Sequence, residues 1–345
     1  MKQNGFKWLV NMTLILSLCV VALGAYTRLT EAGLGCPDWP GCYGFVAVPD
    51  SEAEQATATM RFPDSPLEPH KAWNEMLHRY VAGALGILIL IINIMAWRRP
   101  EQPKLIPGLL LVTVIFQALL GMWTVTMVLM PVVVLGHLLG GFTTVSLLLL
   151  LRLRLMTVPS PVRIPSAENS VRAGRRLQIL SLFGLVVVIA QIGLGGWTAA
   201  NYAAMVCTQL PVCEVDWLQG FDMSAFAPIQ PVHDSYQYGV LNFQQRVSIH
   251  ASHRIGAMIT TVLLLVLGWR LWLRPVLRPV ALVMLVVLAV QVGLGITNVV
   301  ASLPLAVAVA HNVTGVMLLL TLVMVNMQVY RQRWVTCYGT VSQSD

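Results

Sequence analysis

The sequence predicts an all-α integral membrane protein: eight transmembrane helices forming two tandem four-helix bundles, related by a pseudo-two-fold axis along the membrane normal. Three observations carry this expectation. Of 345 residues, 57% are hydrophobic and only 11% are charged, where an ordinary soluble chain carries roughly 25% charged residues. Apolar runs of about 20 residues, the length that crosses the hydrocarbon, recur eight times between polar borders. The second half of the chain also repeats landmarks of the first at a nearly constant offset. Disorder, a large soluble domain and a coiled coil are excluded. The net charge of +7 would suggest nucleic acid in a soluble protein; here it is a topology signal and no nucleic-acid partner is expected.

Read against their charged borders, the apolar runs give spans near 8–26, 80–97, 105–130, 132–151, 177–200, 255–273, 280–300 and 303–329. The two ends, the loops with Arg98, Arg99 and Lys104, with Arg152 to Arg176, and with Arg270, Arg274 and Arg278, hold 16 of the 22 basic residues. That face is expected to be cytoplasmic, with both termini inside. The two long loops of the opposite face, about 28–77 and 201–252, hold 12 of the 15 acidic residues and are expected on the outer side of the membrane. A basic start, an apolar stretch and the small residues of "ALGA" also fit a cleaved signal peptide. Removal would leave a later counterpart of the first span unmatched.

That counterpart belongs to a repeat of four spans. "EMLHRYVAGALGILIL" resembles "HASHRIGAMITTVLLL". His78 and His253 are 175 residues apart, His137 and His311 174, Gln117 and Gln291 174, and the pair Cys36 and Cys42 returns as Cys207 and Cys213 after 171. An even number of spans per copy inserts both copies in the same direction. The division expected is 1–155 for the first bundle, 156–176 for an Arg-rich cytoplasmic linker, 177–332 for the second bundle and 333–345 for a tail.

Four of the seven histidines lie at or just inside the outer ends of spans two, four, six and eight, two in each repeat. One intramembrane imidazole taken singly reads as an interhelical hydrogen bond. Two facing helices each offering one at similar depth can hold a haem iron axially. Small residues follow each histidine: Gly83 and Gly86, Gly140 and Gly141, Gly256, Gly315. They serve either a flat macrocycle or close helix packing. Arg79 and Arg254 follow directly after His78 and His253 and either pair with haem propionates or snorkel to the interface. Zinc or copper fits less well, for want of carboxylate or thiolate ligands at short spacing in both copies. Gln117, Gln191 and Gln291 read as interhelical hydrogen-bonding groups.

The repeat is asymmetric at one place. Glu75, one helical turn before His78, is matched by His250. A carboxylate there is a candidate for proton transfer or cation stabilisation, or an interfacial charge favoured by the helix dipole. The asymmetry suggests a reactive first bundle and a redox-supporting second one. Each cysteine pair has the spacing C-x5-C in an outer loop, an oxidising setting in which a disulfide within each loop is the default. Each bond either staples a loop over its bundle or exchanges electrons with a partner. Cys19 and Cys337 are expected to be plain thiols.

Taken together, "GAYTRLTEAGLGCPDWPGCYG", E-x-x-H-R at Glu75 to Arg79, "LGHLLGG" around His137, "SHR" at His253 and "AHNVTG" at His311 closely resemble the haem A synthase family, over nearly the whole chain. The resemblance implies an oxidoreductase that converts the C8 methyl of haem O to the formyl group of haem A by successive hydroxylations. It implies a haem b cofactor on His253 and His311 and substrate haem O near His78 and His137. Glu75 would be the carboxylate essential to the chemistry, and Cys36 and Cys42 would take part in electron or haem handling. Membrane lipid, a haem O synthase, oxidase assembly factors and an unidentified electron acceptor are the partners so implied; a homo-oligomer stays open. The main alternative is a di-haem cytochrome b, a quinol or thiol-disulfide electron-transfer protein using the same histidines without need of Glu75. A parallel-repeat transporter would want polar groups deep at the midplane, where only the three glutamines occur.

Overall fold

The computed structural model of the protein describes residues 2–156 and 168–338. The expected linker and tail lie partly outside them. The helices are α1 (Lys2–Leu29), α2 (Glu52–Arg61), α3 (Pro69–Trp97), α4 (Leu105–Thr126), α5 (Pro131–Arg154), α6 (Glu168–Ala200), α7 (Phe243–Trp272), α8 (Arg278–Val300) and α9 (Leu305–Tyr338). All but α2 are long and apolar enough to cross a membrane. Among the described residues no strand occurs beyond one isolated bridge, Cys42 to Phe45.

Neighbour relations repeat between the two halves. Helix α1 packs on α3, α3 on α4, α4 on α5, and α5 returns to α1; likewise α6 packs on α7, α7 on α8, α8 on α9, and α9 returns to α6. The two rings meet where α1 and α5 contact α9 and α5 contacts α6. Interior aliphatic side chains fill both rings toward the basic end: Ile89, Leu110 and Leu148 in the first, Leu264, Leu322 and Val325 in the second, all fully buried. Turns repeat as well. The tight α4–α5 turn puts Val128 and Leu129 at φ 46° and 65°, and the α8–α9 turn puts Ser302 and Leu303 at 56° and 61°.

The largest differences from the hydropathy reading are at α3 and α7, which begin at Pro69 and Phe243 instead of near 80 and 255. Pro69 suits a first helical position, where its missing N–H is not needed. Before Phe243, Asn242 and Gln245 form a reciprocal cap, with bonds of 2.9 and 3.0 Å. The added turns carry inward polar groups, Glu75, Arg79 and Arg254 bonded to loop backbone and His250 to Arg254, besides outer ones such as the exposed His70, so a hydropathy window undercounts them. The stretch after the first cysteine pair contains the unexpected helix α2, opened by the Ser51–Glu54 capping box.

Contacts at the end of the long loops lock the halves together. The Arg28 guanidinium lies 4.1 Å over the Tyr202 ring and donates to the Ala199 carbonyl at 2.9 Å. The Tyr236 amide donates to the Val128 carbonyl at 3.0 Å.

Candidate functional site

The four histidines stand at comparable depth. His137 and His311 each lie six residues into α5 and α9, counting from Pro131 and Leu305. All four line one cavity of about 2190 Å³ that runs through both halves of the molecule; a single-ligand site is typically about 300–1,000 Å³. The His78 and His137 rings are 6.4 Å apart between centroids and nearly perpendicular, at 82°. His253 and His311 line the same cavity from α7 and α9.

Each ring is seated on a glycine of the preceding membrane helix. A methyl group built on Gly24, Gly121, Gly195 or Gly295 would stand 3.0, 3.5, 3.0 or 3.2 Å from Cε1 of His78, His137, His253 or His311. One turn before three of these glycines stands a glutamine. The Gln191 amide nitrogen lies 3.0 Å from Nδ1 of His253, and that of Gln291 lies 3.3 Å from Nε2 of His311. Gln117 packs against Gly140, on the helix of His137, where even a methyl would collide with it. The fourth position, on α1, is Val20. Nδ1 of His78, His137 and His311 is buried without a hydrogen-bond partner.

Glu75 is 5% exposed. One carboxylate oxygen accepts the Cys36 amide at 2.9 Å and the other pairs with Arg79. Arg79 also donates to the carbonyls of Asp38, Pro40 and Gly41. The second half repeats the device without the carboxylate: Arg254 donates to the carbonyls of Cys207, Gln209 and Val212, while its Nε donates to Nε2 of His250 at 3.1 Å. Both arginines line the cavity mouth with much of their donor capacity directed to the loops that cover it. Those loops are closed by the disulfides Cys36–Cys42 and Cys207–Cys213. In the first loop, the Asp38 carboxylate accepts the amides of Tyr43 and Gly44 at 2.6 and 2.7 Å. In the second, Glu214 accepts the Thr208 and Gln209 amides, and its carboxyl is pulled down to about 2 by these bonds and by one from its own amide. Cys19 is a free, exposed thiol.

Sequence reading named the histidines, Glu75, both arginines and the cysteines. It missed the four seating glycines and the loop carbonyls that take up the arginines. A signal for the glycines exists: Gln-x-x-x-Gly recurs at Gln117, Gln191 and Gln291. Among the described residues no group of three or more His, Cys, Asp or Glu converges on one point, as a bare metal ion would ask. The imidazoles come in twos.

The fold and site define an eight-span membrane protein with a histidine-lined interior cavity capped by two disulfide loops. The chain belongs to the COX15-CtaA family of cytochrome oxidase assembly proteins, whose model matches residues 7–323. It is 50% identical over 320 residues to a heme A synthase of Shewanella oneidensis, covering 92% of this chain and 95% of that one. It is 24% identical over 333 residues to a heme A synthase of Rhizorhabdus wittichii, at 92% and 91% coverage. A heme A synthase of Halalkalibacterium halodurans is 26% identical over 220 residues, 63% of this chain and 66% of the relative.

Proposed function

We propose that the chain is a haem A synthase that oxidises the C8 methyl of haem O to a formyl group through successive hydroxylations. The observation that carries the reading is His78 facing His137 across the cavity with the buried Glu75 one turn away. A metal–nitrogen bond of about 2 Å on each side, plus a ring half-width of roughly 1 Å each, spaces two axial imidazole centroids roughly 6 Å apart. The 6.4 Å seen between His78 and His137 is of that size, and both rings line the cavity, where a ligand can reach them. These residues fit a haem.

In this reading His78 and His137 hold the substrate inside the cavity. Glu75 takes the proton leaving the methyl group, or stabilises the positive charge that develops there before water adds. Arg79 and the Cys36 amide fix the carboxylate in place. A haem b held by His253 and His311 would supply one-electron relay toward an acceptor outside the chain. The basic residues gathered at one end of the helices support placing both termini in the cytoplasm and the disulfide loops in the periplasm.

The test is acid extraction and mass identification of haems from protein purified from cells that supply haem O, comparing wild type with Glu75→Ala. Haem A in the wild type, with haem O or a hydroxylated intermediate in the variant, is expected. Protohaem alone in both would overturn the reading and leave an electron-transfer cytochrome b.

A further inference from the structure

The two halves of the cavity are unequal in a way that the histidines are not. Below His253 the lining stops at Thr261 on α7 and Leu288 on α8. The corresponding positions in the first half are Gly86 and Val114, and there the lining continues through Ile87 and Leu90 on α3 and Leu111 on α4, with Ile115 beside Val114 on the same wall. Leu90 is twelve residues beyond His78, about 18 Å along the helix axis. Three local differences account for the extra slot. Gly83 takes the place of Met258, and a methyl built on Gly83 meets nothing within 4 Å. Gly86 takes the place of Thr261. In the second half Leu285 is pressed onto Gly268, so close that a methyl there would stand 2.7 Å from it; in the first half the glycine is replaced by Asn93, which donates instead to the Pro107 carbonyl at 3.2 Å. The α7–α8 seam is thereby filled and the α3–α4 seam is left open.

We propose that the slot between α3 and α4 is the binding site for the isoprenoid side chain of the porphyrin held by His78 and His137. This rests on the haem A synthase reading and extends it. The slot is apolar over its whole length, is continuous with the cavity that holds the histidines, and opens beside residues that face lipid: Ile87 and Ile115 are 61% and 55% exposed. An apolar chain gains by leaving water for such a surface and needs no polar partner. The porphyrin of the second half needs no such slot, because a haem b carries no isoprenoid. The filled α7–α8 seam therefore also selects, rejecting the tailed porphyrin from the cofactor position by steric conflict.

The test uses the full chain in detergent with its second-half haem retained, titrated with haem O or with protohaem and followed by the absorbance difference. Gly83→Met copies the second half into the first and meets open space, so the helix tolerates it. Ile115→Trp narrows the slot from the other wall. Displacing two or three methylenes weakens haem O binding about tenfold or more. Protohaem binding to the same variants is expected to stay within about twofold of wild type. Equal weakening of both porphyrins, or of neither, overturns the slot assignment while leaving the synthase reading intact. A wild-type titration unaffected by His78→Ala together with His137→Ala overturns both.

Discussion

The backbone amide of Cys36 donates to the Glu75 carboxylate at 2.9 Å, so the residue that opens the first disulfide loop also holds the buried acid. Glu75 thus joins three things: the loop, Arg79 and the cavity. Removing one partner of a buried pair leaves the other charge uncompensated, at a cost of about 3 kcal/mol. Glu75→Ala is expected to lower the thermal midpoint of the purified protein markedly, because Arg79 and the Cys36 amide both lose an acceptor. Glu75→Gln leaves Arg79 without its counter-charge but keeps an amide oxygen for Cys36, and is expected to fall somewhat less, yet to lose haem A formation as fully. Thermal unfolding followed by tryptophan fluorescence, read beside haem analysis, separates the two roles; equal destabilisation by both variants would count against this division.

A second expectation concerns Gln191. An imidazole that binds metal through Nε2 carries its proton on Nδ1, and the Gln191 amide beside Nδ1 of His253 can turn its oxygen to accept it. Such hydrogen bonds raise ligand basicity and favour the oxidised metal. With the proposed haem on His253 and His311, Gln191→Leu is expected to raise its midpoint potential by on the order of 40 mV, one hydrogen bond's worth. Gln191→Glu is expected to lower it. Redox titration of the α-band reads both; a potential that ignores both variants would remove Gln191 from the ligand's environment.

Much of this site is legible in the sequence because its parts are chemically rare inside a membrane. Four histidines, one carboxylate and two cysteine pairs stand out against leucine and valine, and the fourfold correspondence orders them. The starts of α3 and α7 are not legible in the same way. Glu75, Arg79, His250 and Arg254 read as loop by hydropathy, although loop backbone takes up Glu75, Arg79 and Arg254, and Arg254 in turn donates to His250. Glycine is ambiguous for a different reason. Gly24 seats a ring, Gly83 opens a slot and Gly193 faces nothing, and only the three-dimensional neighbour distinguishes them. The partnering of Arg79 and Arg254 with carbonyls was hidden because backbone acceptors leave no mark in a sequence.

The glycines themselves give a sign test. Alanine replacing glycine within a helix ordinarily stabilises by about 0.5–1 kcal/mol. Gly193 has open space around it, so Gly193→Ala is expected to raise the thermal midpoint slightly and leave haem content unchanged. Gly195 lies two residues on, and a methyl there would stand 3.0 Å from Cε1 of His253. Gly195→Ala gains the same helix preference but pushes the ring, so binding of the proposed second-half haem should fall although the helix itself is favoured. Pyridine haemochrome quantification of both variants checks it, and equal haem content in the two would show that the ring gives way freely.

The second disulfide loop supplies a prediction in pH. Glu214 clamps the turn between Cys207 and Cys213 by accepting from Thr208 and Gln209, and the same turn offers its Cys207, Gln209 and Val212 carbonyls to Arg254. Hydrogen bonds from its own amide and from Thr208 and Gln209 lower its carboxyl from the ordinary 4.5 to about 2 in the folded loop. A depressed folded value means that the clamp stabilises fully above the unfolded value and is lost as pH falls through the folded one. The loop is therefore expected to hold unchanged from pH 7 to about 5, to weaken below about 4.5 and to open near 2. The rate at which a phosphine reduces Cys207–Cys213 reports this, since opening exposes a sulfur that is 1% exposed at Cys207. In Glu214→Gln the weakened clamp should give faster reduction already at pH 7, with no further acceleration between 4.5 and 2. If the wild-type rate climbs between pH 7 and 5, the loop is controlled by a group other than Glu214.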